Sequence, residues 1–218
     1  MKTVAVILSG CGVFDGSEIH ESVLTLLALD KAGAKAICTA PDIPQYHVIN
    51  HLTQQPVPGE TRNVLVESAR IARGKITPLA QLDVASVDAV ILPGGFGAAK
   101  NLCTFALAGK DFTVHEQVAN VLRRAHQLGK PIGLVCIAPA IAARLFGPEK
   151  VEFTIGTDAG TAQALEASGA VHVNCNVFNA VVDRQRKIVT TPAYMLATRI
   201  SEAEAGITKL VQAVLEMA

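Results

Sequence analysis

The chain has 218 residues, of which 50% are hydrophobic and 17% are charged, and its formal net charge is zero. This balance excludes the basic footprint of a nucleic-acid-binding protein, and no apolar run is long enough to cross a membrane. The N-terminal apolar run is too short for a signal peptide, so length and composition predict one cytoplasmic domain over residues 1–218.

The cysteines are spaced as free thiols and not as a metal site or a disulfide framework. They are odd in number and include no C-x-x-C pair, so neither zinc nor disulfides are predicted. His47 and His51 could be metal ligands, but their proline-rich surroundings favour a solvated loop. We therefore expect no metal and no cofactor. At most one or two of the five thiols should carry chemistry, and these thiols are Cys11, Cys38, Cys103, Cys136 and Cys175.

The first forty residues predict a strand, a helix and a second strand. Thr3–Leu8 is an apolar run typical of a buried strand, and a glycine-containing turn follows it. A helix is predicted over Glu18–Gly33, with Asp15 or Ser17 as its N-cap. Because Ala34–Thr39 again has the pattern of a strand, this βαβ unit predicts a parallel sheet.

The next segment interrupts this pattern. Pro41–Arg62 contains four prolines and predicts an irregular excursion, which extends to about residue 74 with the helix predicted over Asn63–Arg73. Val87–Leu92 then predicts a buried strand that runs into the glycine-rich turn Pro93–Gly97. This turn lacks the G-x-G-x-x-G pattern, so dinucleotide binding is disfavoured.

The second half alternates further strands and helices, which predicts a flavodoxin-like three-layer α/β sandwich with a mostly parallel sheet. Lys130–Val135 is predicted as a buried strand, and a helix begins close to Pro139, since proline is tolerated in a first helical turn. The other predicted segments are strands at Val151–Ile155, Val171–Val173, Ala180–Asp183 and Lys187–Thr191 and helices at Phe112–Leu128, at Thr161–Ser168 and within Met195–Met217.

Cys136 stands at the turn between that strand and its helix. A side chain at such a turn is pushed out of the sheet above the helix N-terminus, as in the nucleophile elbow of hydrolases, although G-x-S-x-G is absent. The positive end of a helix favours a thiolate, so we expect an activated cysteine here. The alternative is a buried packing residue, because free cysteine is often only that.

Two glutamates could be brought over this thiol. In an open parallel sheet, ligands bind at the carboxyl ends of the strands, where the first helix also begins. Glu18 and Glu21 are three residues apart and share a helix face, so either could hold or move a proton. An acidic residue in the first turn also stabilises a helix by its charge, and this alternative applies more to Glu18 than to Glu21.

These features together resemble the DJ-1/PfpI superfamily, which has the class I glutamine-amidotransferase-like fold. The resemblance is carried by the glutamate-bearing helix, LPGGFGAAKNL, the VCIAPA turn and TTPAYML. The opening SGCGVFDGSEIHE and the excursion look most like the ES1 branch, which is associated with isoprenoid production. The resemblance runs from end to end of the chain.

The resemblance implies a role for each matching residue. Cys136 corresponds to the family's reactive cysteine, and Glu21 corresponds to the glutamate that hydrogen-bonds it, with Glu18 as the second choice. An oxyanion-type pocket is expected from the backbone amides of three residues, namely Gly94, Gly95 and Ile137. A homodimer is also expected from the resemblance.

Differences from the active-site residues of the relatives exclude some of the activities of the superfamily. Amidotransferases carry a late His-x-Glu pair, whereas the corresponding region here is Thr190–Tyr194, so glutamine hydrolysis is not expected. Peptidase-like members place a histidine directly after the cysteine, and that position is Ile137 here. His20 adjoins Glu21, but helix neighbours point about 100° apart, so both cannot face the thiol equally. His172 is a weaker candidate.

The remaining residues fit the cofactor-independent glyoxalase activity of the family. Cys136 would add to glyoxal or a similar small dicarbonyl, and Glu21 would move a proton through an enediol to give a hydroxy acid. Early glycation adducts are a related substrate. One alternative is a redox-sensing or stress-response protein that oxidises at Cys136. Another is a binding protein with a vestigial site.

Overall fold

A computed structural model describes residues 1–218 and divides them among eleven strands and eight α-helices. The strands are β1 (Thr3–Ile7), β2 (Lys35–Ala40), β3 (Ile49–Asn50), β4 (Gln55–Pro56), β5 (Ile76–Pro78), β6 (Ala89–Leu92), β7 (Ile132–Val135), β8 (Glu152–Phe153), β9 (Val171–His172), β10 (Val181–Asp183) and β11 (Ile188–Thr191). The helices are α1 (Ile19–Lys31), α2 (Val64–Ile71), α3 (Phe96–Lys100), α4 (Phe105–Ala108), α5 (Glu116–Gln127), α6 (Pro139–Phe146), α7 (Ala159–Glu166) and α8 (Ile200–Met217).

Seven strands form the central sheet, in the order β10-β11-β7-β6-β1-β2-β5. All neighbouring strands in this sheet are parallel except β10 and β11. From β1 the chain builds outward to β2 and β5 on one side and later to β6 and β7 on the other. A crevice therefore forms beside β1 at the carboxyl ends of these strands, where ligands bind in such sheets.

Both faces of the sheet are buried, because successive side chains of a strand point to opposite faces. Val4 and Val6 of β1 belong to the hydrophobic cluster that contains residues of α1 and α8. Ala5 and Ile7 belong to the cluster that contains residues of α5 and α6. The predicted flavodoxin-like three-layer sandwich with a mostly parallel sheet is confirmed. None of the helices combines the length and apolar character that a bilayer span requires.

Several predicted segments have different bounds in the structure. The helix predicted over Phe112–Leu128 begins only at Glu116, because the residues before it turn back to bridge Cys103 with Val114. The last helix begins at Ile200, after a short 3₁₀ turn. The strands predicted at Val151–Ile155 and Val171–Val173 are shorter and pair with each other outside the central sheet.

The excursion after β2 is more regular than the sequence predicts. It contains a small antiparallel hairpin formed by β3 and β4. An unpredicted strand, β5, follows α2 and extends the sheet by pairing in parallel with β2. The sequence pattern misses β5 because it has only three residues and ends in a proline.

The first helix is capped by Glu18 and not by either residue predicted for that role. The Ser17 hydroxyl accepts a backbone N–H from its own loop, and the Asp15 carboxylate accepts the Ile49 N–H at 2.8 Å. Both side chains therefore hold the loop after β1 in place. The Glu18 carboxyl accepts the Glu21 N–H at 2.7 Å and so satisfies the helix start.

Candidate active site

Cys136 occupies a strained turn directly after β7. Its φ angle is +64°, a left-handed conformation that is uncommon for a residue with a side chain. The Cys136 N–H donates to the Thr191 carbonyl at 2.9 Å, which ties the turn to the end of β11. Strain of this kind, held by the surrounding structure, is typical of functional sites. The geometry agrees with the elbow predicted from the sequence.

Glu21 reaches this thiol from the first turns of α1. Its side chain is fully buried and lies next to Cys136, since Glu21 Oε2 and the Cys136 Cβ both lie directly against Gly94. One carboxyl oxygen accepts the Gly94 N–H at 2.9 Å, and the other accepts the Tyr194 N–H at 3.2 Å. Three loops of the sheet edge thus hold one carboxyl group. Glu21, and not Glu18, is the carboxyl that acts on the pKa of the Cys136 thiol.

Gly94 is the residue that allows this approach. A Cβ atom at this position would lie 2.5 Å from the Cys136 Cβ and 2.7 Å from Glu21 Oε2, so no larger residue fits without displacement. The Gly94 N–H is engaged by Glu21 and is not free for a substrate oxygen. The expectation that the Gly94 amide is part of an oxyanion pocket is therefore corrected.

The environment of Glu21 favours its neutral form. Burial, and to a smaller extent the nearby Glu18 carboxyl, raises the pKa of this carboxyl from 4.5 to about 8. Hydrogen bonds from the Tyr194 N–H, the Cys136 thiol and the Gly94 N–H act in the opposite direction. At neutral pH the carboxyl is thus mostly protonated, and it ionises as the pH passes about 8.

The thiol is not the low-pKa thiolate that its position predicts. Burial raises the pKa of Cys136 well above its usual value, and the charge and hydrogen bond of Glu21 raise it further. The backbone N–H groups of Gly95 and Ile137 favour the thiolate but do not overcome these effects. The helix beneath the elbow begins at Pro139, and its positive end is outweighed by the loss of water around the sulfur.

Glu18 remains part of the site through its position beside the thiol. Its side chain is 9% exposed and lines the same cavity as Cys136. Gly95 allows the loop after β6 to pass close to the helix start, since a Cβ there would lie 2.4 Å from the Glu18 backbone nitrogen. Gly95 also has a φ of +93°, which favours glycine.

The two histidines considered from the sequence do not face the sulfur. His20 Nδ1 hydrogen-bonds the Tyr194 hydroxyl at 2.8 Å, as expected for a helix neighbour that points away from Glu21. His172 accepts the Ile155 N–H at 3.3 Å and packs edge-on against Phe153, so its role is structural.

The histidines of the excursion contact the loop after β1 and α3. His51 accepts the Phe14 N–H at 3.3 Å and lies 3.8 Å from the Asp15 carboxylate. His47 Nδ1 lies 3.4 Å from Lys100 Nζ, which also donates to the Phe14 carbonyl. These contacts attach the excursion to the segments that flank the site.

A cavity of about 340 Å³ opens over Cys136. Its walls include Phe105, Tyr194 and Met195, three residues that the sequence analysis did not assign to the site. Tyr194 and Met195 belong to the TTPAYML segment at the end of β11. Because that segment ends at the same sheet edge as Cys136, its sequence position could have indicated that both residues line the site. Phe105 lies on the short helix α4, and only the tertiary structure brings it to the cavity.

Comparisons with known proteins agree with this architecture. The chain is 53% identical over 223 aligned residues to the Homo sapiens protein "Glutamine amidotransferase-like class 1 domain-containing protein 3, mitochondrial", with 98% of this chain and 82% of that protein covered. It is 52% identical to the Rattus norvegicus "ES1 protein homolog, mitochondrial", with 98% and 83% covered. No protein-family model matches the chain.

Solved structures show the same fold. The crystal structure of an isoprenoid biosynthesis protein with an amidotransferase-like domain from Ehrlichia chaffeensis superposes with a TM-score of 0.93 and 37% identity, covering 100% of this chain and 99% of that one. Glyoxalase III from Candida albicans superposes with a TM-score of 0.63 at 15% identity, covering 99% and 97%. At that identity the second similarity concerns the fold alone.

The relatives correct one expectation and establish the family. The Homo sapiens and Rattus norvegicus proteins, and an ES1 protein from Danio rerio, are mitochondrial by name, which contradicts the cytoplasmic location expected from the sequence. Composition and charge by themselves do not indicate a compartment. With more than half of the aligned residues identical across almost the whole chain, the protein belongs to the ES1 family of glutamine amidotransferase-like class 1 proteins, on the DJ-1/PfpI fold.

Proposed function

We propose that this protein is a cofactor-independent, glyoxalase-type enzyme that converts glyoxal or a similar small dicarbonyl into a hydroxy acid. The observation that carries the proposal is the proximity of the buried Glu21 carboxyl to the Cys136 thiol at a strained elbow, where both groups lie against Gly94. The thiol is a nucleophile, and a carboxyl whose pKa is raised to about 8 is a stronger base, once ionised, than an ordinary carboxylate.

The first step joins the substrate to the protein. Cys136 Sγ forms a bond to the aldehyde carbon, while the thiol proton passes to the ionised Glu21 carboxylate. Glu21 then gives this proton to the aldehyde oxygen, which completes a hemithioacetal. The N–H groups of Gly95 and Ile137, which favour negative charge on the sulfur, would stabilise the charge that develops during attack.

The second step moves a hydrogen between the two carbons. Glu21 removes the proton from the hemithioacetal carbon, giving an enediol, and returns a proton to the neighbouring carbon. The first carbon is thereby oxidised to a thioester and the second is reduced to an alcohol, so no external oxidant or reductant is needed. Water cleaves the thioester, releases the hydroxy acid and leaves the proton on Cys136. An early glycation adduct would be attacked by the same thiol.

Replacing either residue of the pair should abolish turnover. We expect Cys136→Ala and Glu21→Gln each to lower kcat/KM for glyoxal by at least about a hundredfold, because one lacks the nucleophile and the other lacks the base. In the wild type, kcat/KM should rise as the pH passes about 8, where Glu21 ionises. Formation of glycolate from glyoxal, followed by proton NMR, measures both effects.

The matched control is Cys38→Ala, which removes a buried thiol from β2, outside the site. Its turnover should stay close to that of the wild type. Glycolate formation by Cys136→Ala at the wild-type rate would contradict the proposal. Circular dichroism of each variant shows whether a loss of activity reflects a loss of fold.

The redox-sensing alternative has weaker support from the site. A peroxide sensor requires an accessible thiolate. Here the Cys136 side chain is only 7% exposed, and burial raises the pKa of the thiol. Glutamine hydrolysis and peptide cleavage are also unsupported, because the histidines that those reactions use in the relatives are absent from the positions after β7 and β11.

We also propose that the protein is a homodimer, as its family resemblance implies. Exposed apolar side chains on α1, Val23 at 50% and Leu27 at 40%, would be covered in such an assembly. Light scattering of the purified protein should therefore give about twice the chain mass of 22.8 kDa. A mass equal to one chain at micromolar concentration would contradict this.

A further inference from the structure

The cavity over Cys136 is much more apolar than a site for glyoxal requires. Nine of its eleven lining residues are hydrophobic. Six of them have aliphatic, aromatic or thioether side chains, and we call these six the apolar wall, namely Val13, Phe96, Ala99, Phe105, Ala106 and Met195. Glyoxal consists of two adjacent aldehyde groups and has no apolar part that could use such a wall.

The side chain of Phe96 supports this interpretation. It is 45% exposed, although a phenyl ring of this size is usually buried when a partner surface is within reach. Lys100 lies over the ring, with Nζ 4.9 Å from its centre, and so fixes it beside the cavity. An exposed and fixed aromatic ring at the wall of a reactive cavity is a surface that an apolar ligand would cover.

The charges around the cavity disfavour an anionic ligand. Glu18, Cys136 and Tyr194 are the only titratable side chains among the lining residues, and none of them is a cation. The Tyr194 hydroxyl is already hydrogen-bonded to His20. A carboxylate or phosphate group in this cavity would therefore meet the Glu18 carboxyl without a positively charged lining residue, since Lys100 lies over the Phe96 ring and donates to the Phe14 carbonyl.

The volume of the cavity is large enough for a substrate that carries a further group besides its two reacting carbons. Since a cavity of ~150 Å³ is large enough to hold benzene, the volume of about 340 Å³ accommodates an aromatic ring together with a dicarbonyl group. The thiol is part of the same cavity, so a ring against the apolar wall and an aldehyde at Sγ can belong to one molecule.

We propose that the site takes an uncharged α-oxo aldehyde that bears an aryl or branched alkyl group, with this group packed on the apolar wall. This inference rests on the proposed glyoxalase function, and the chemical steps are the same. The sulfur adds to the aldehyde carbon, Glu21 moves the proton, and the product is the corresponding aryl- or alkyl-substituted hydroxy acid. The apolar group takes no part in the reaction and contributes binding energy.

The first test compares initial rates on phenylglyoxal and glyoxal. In the wild type we expect kcat/KM to be about tenfold or more higher for phenylglyoxal, because the ring is buried only with that substrate. Ala106→Asp places a carboxylate on the apolar wall and should reduce this preference about tenfold. Leu107→Asp is the matched control, since Leu107 is the next residue of α4, is 42% exposed and does not line the cavity. A preference that is absent, or that Ala106→Asp leaves unchanged, would overturn the inference.

The second test does not depend on turnover. 2-Hydroxyacetophenone and hydroxyacetone are uncharged and lack an aldehyde, and they differ only in carrying a phenyl or a methyl group. Titration calorimetry on the wild-type protein should show that the phenyl compound binds about tenfold more tightly, and that Ala106→Asp removes the difference. Equal affinities would overturn the inference. Tighter binding of the phenyl compound by a protein that turns over no aldehyde would support the apolar wall and overturn the glyoxalase proposal instead.

Discussion

Glu21 shows how a single buried carboxyl can be held in place at an energetic cost. Its oxygens accept the N–H groups of Gly94 and Tyr194, which come from two different strand ends. Neither hydrogen bond restores the water that a carboxylate would have outside the protein, so the pKa rises to about 8. The same burial that positions the proton acceptor therefore makes its ionised form unfavourable for folding.

This cost predicts a specific dependence of stability on pH. The folded-state pKa of Glu21 lies at about 8, above the usual 4.5, so the folded chain binds this proton more tightly than the unfolded chain does. The resulting stability is complete below the usual pKa and is lost as the pH rises toward 8. Glu21→Gln has no proton to lose, so between pH 5 and pH 9 its free energy of unfolding should fall less than that of the wild type, by on the order of a few kcal/mol. Urea denaturation at a series of pH values measures the difference.

The control for this experiment is Glu216→Gln, which changes an exposed carboxyl on the last turn of α8. Its unfolding free energy should follow the wild-type pH profile. The interpretation fails if Glu21→Gln and the wild type lose stability in parallel above pH 6. The glutamine should lower stability by an amount that does not depend on pH, because its amide group faces the N–H donors of Gly94 and Tyr194, and such an amount does not alter the slope.

The loop after β1 and the excursion after β2 support each other and the start of α1. Asp15 and Asn101 provide the connections, since Asp15 accepts the Ile49 N–H and Asn101 accepts the Tyr46 N–H at 2.9 Å. Asn101 also donates to the carbonyls of Ser9 and Asp15. The excursion thus holds the loop that leads to Glu18 and Glu21, which gives this irregular segment a positioning role.

Removing the Asp15 carboxylate should loosen the excursion. In Asp15→Ala the Ile49 N–H loses a charged acceptor in a site where Asp15 is only 4% exposed. A buried hydrogen bond to a charged group is worth about 1.5–3 kcal/mol, so amide hydrogen exchange over residues 41–62 should be about tenfold or more faster. Hydrogen exchange followed by mass spectrometry measures this change.

Asp158→Ala is the corresponding control, because Asp158 accepts the Thr161 N–H at the start of α7, far along the chain from the excursion. It should accelerate exchange near α7 and leave residues 41–62 unchanged. Equal exchange of this segment in Asp15→Ala and the wild type would show that the carboxylate does not hold the excursion.

The molecule as a whole depends on one sheet with a hydrophobic core on each face. Leu122 of α5 and Leu210 of α8 are fully buried in the two opposite clusters. Both clusters contain side chains of β1, β6 and β7, so neither core can be lost without exposing the other face of the same strands. This sharing is the physical reason to propose that residues 1–218 form a single domain.

A single domain of this kind should unfold in one transition. Leu122→Ala and Leu210→Ala should each lower the free energy of unfolding by about 2–5 kcal/mol, because each leaves a cavity in a fully buried core. Both should shift the same transition when denaturation is followed by fluorescence and by circular dichroism. Two transitions, one sensitive to each substitution, would indicate that the layers are independent folding units.

Some features of the site could be predicted from the sequence and others could not. The positions of Cys136 and Glu21 were predictable because a strand, a turn and a helix place them by local pattern and family resemblance. The direction of the pKa shift of Cys136 was not predictable. The nearby N-terminus of α6 suggests a lowered pKa, whereas burial, which depends on the whole fold, raises it. The role of the Gly94 N–H was also not predictable, because it donates to the carboxyl of Glu21, a residue 73 positions away in the sequence.

The sequence by itself determined the α/β fold, the order of most strands and helices and the position of the thiol, because these follow from periodicity, turn residues and motifs that act over a few residues. The family resemblance favoured Glu21 over Glu18 as the carboxyl partner but left both open. The tertiary structure alone decided what surrounds that pair. It brought Phe105, Tyr194 and Met195 to one cavity, used Asp15 and Ser17 to hold a loop, and removed water from Glu21 and Cys136. These outcomes depend on contacts between distant segments, and burial, which sets the charge state of the site, exists only once those segments are packed together.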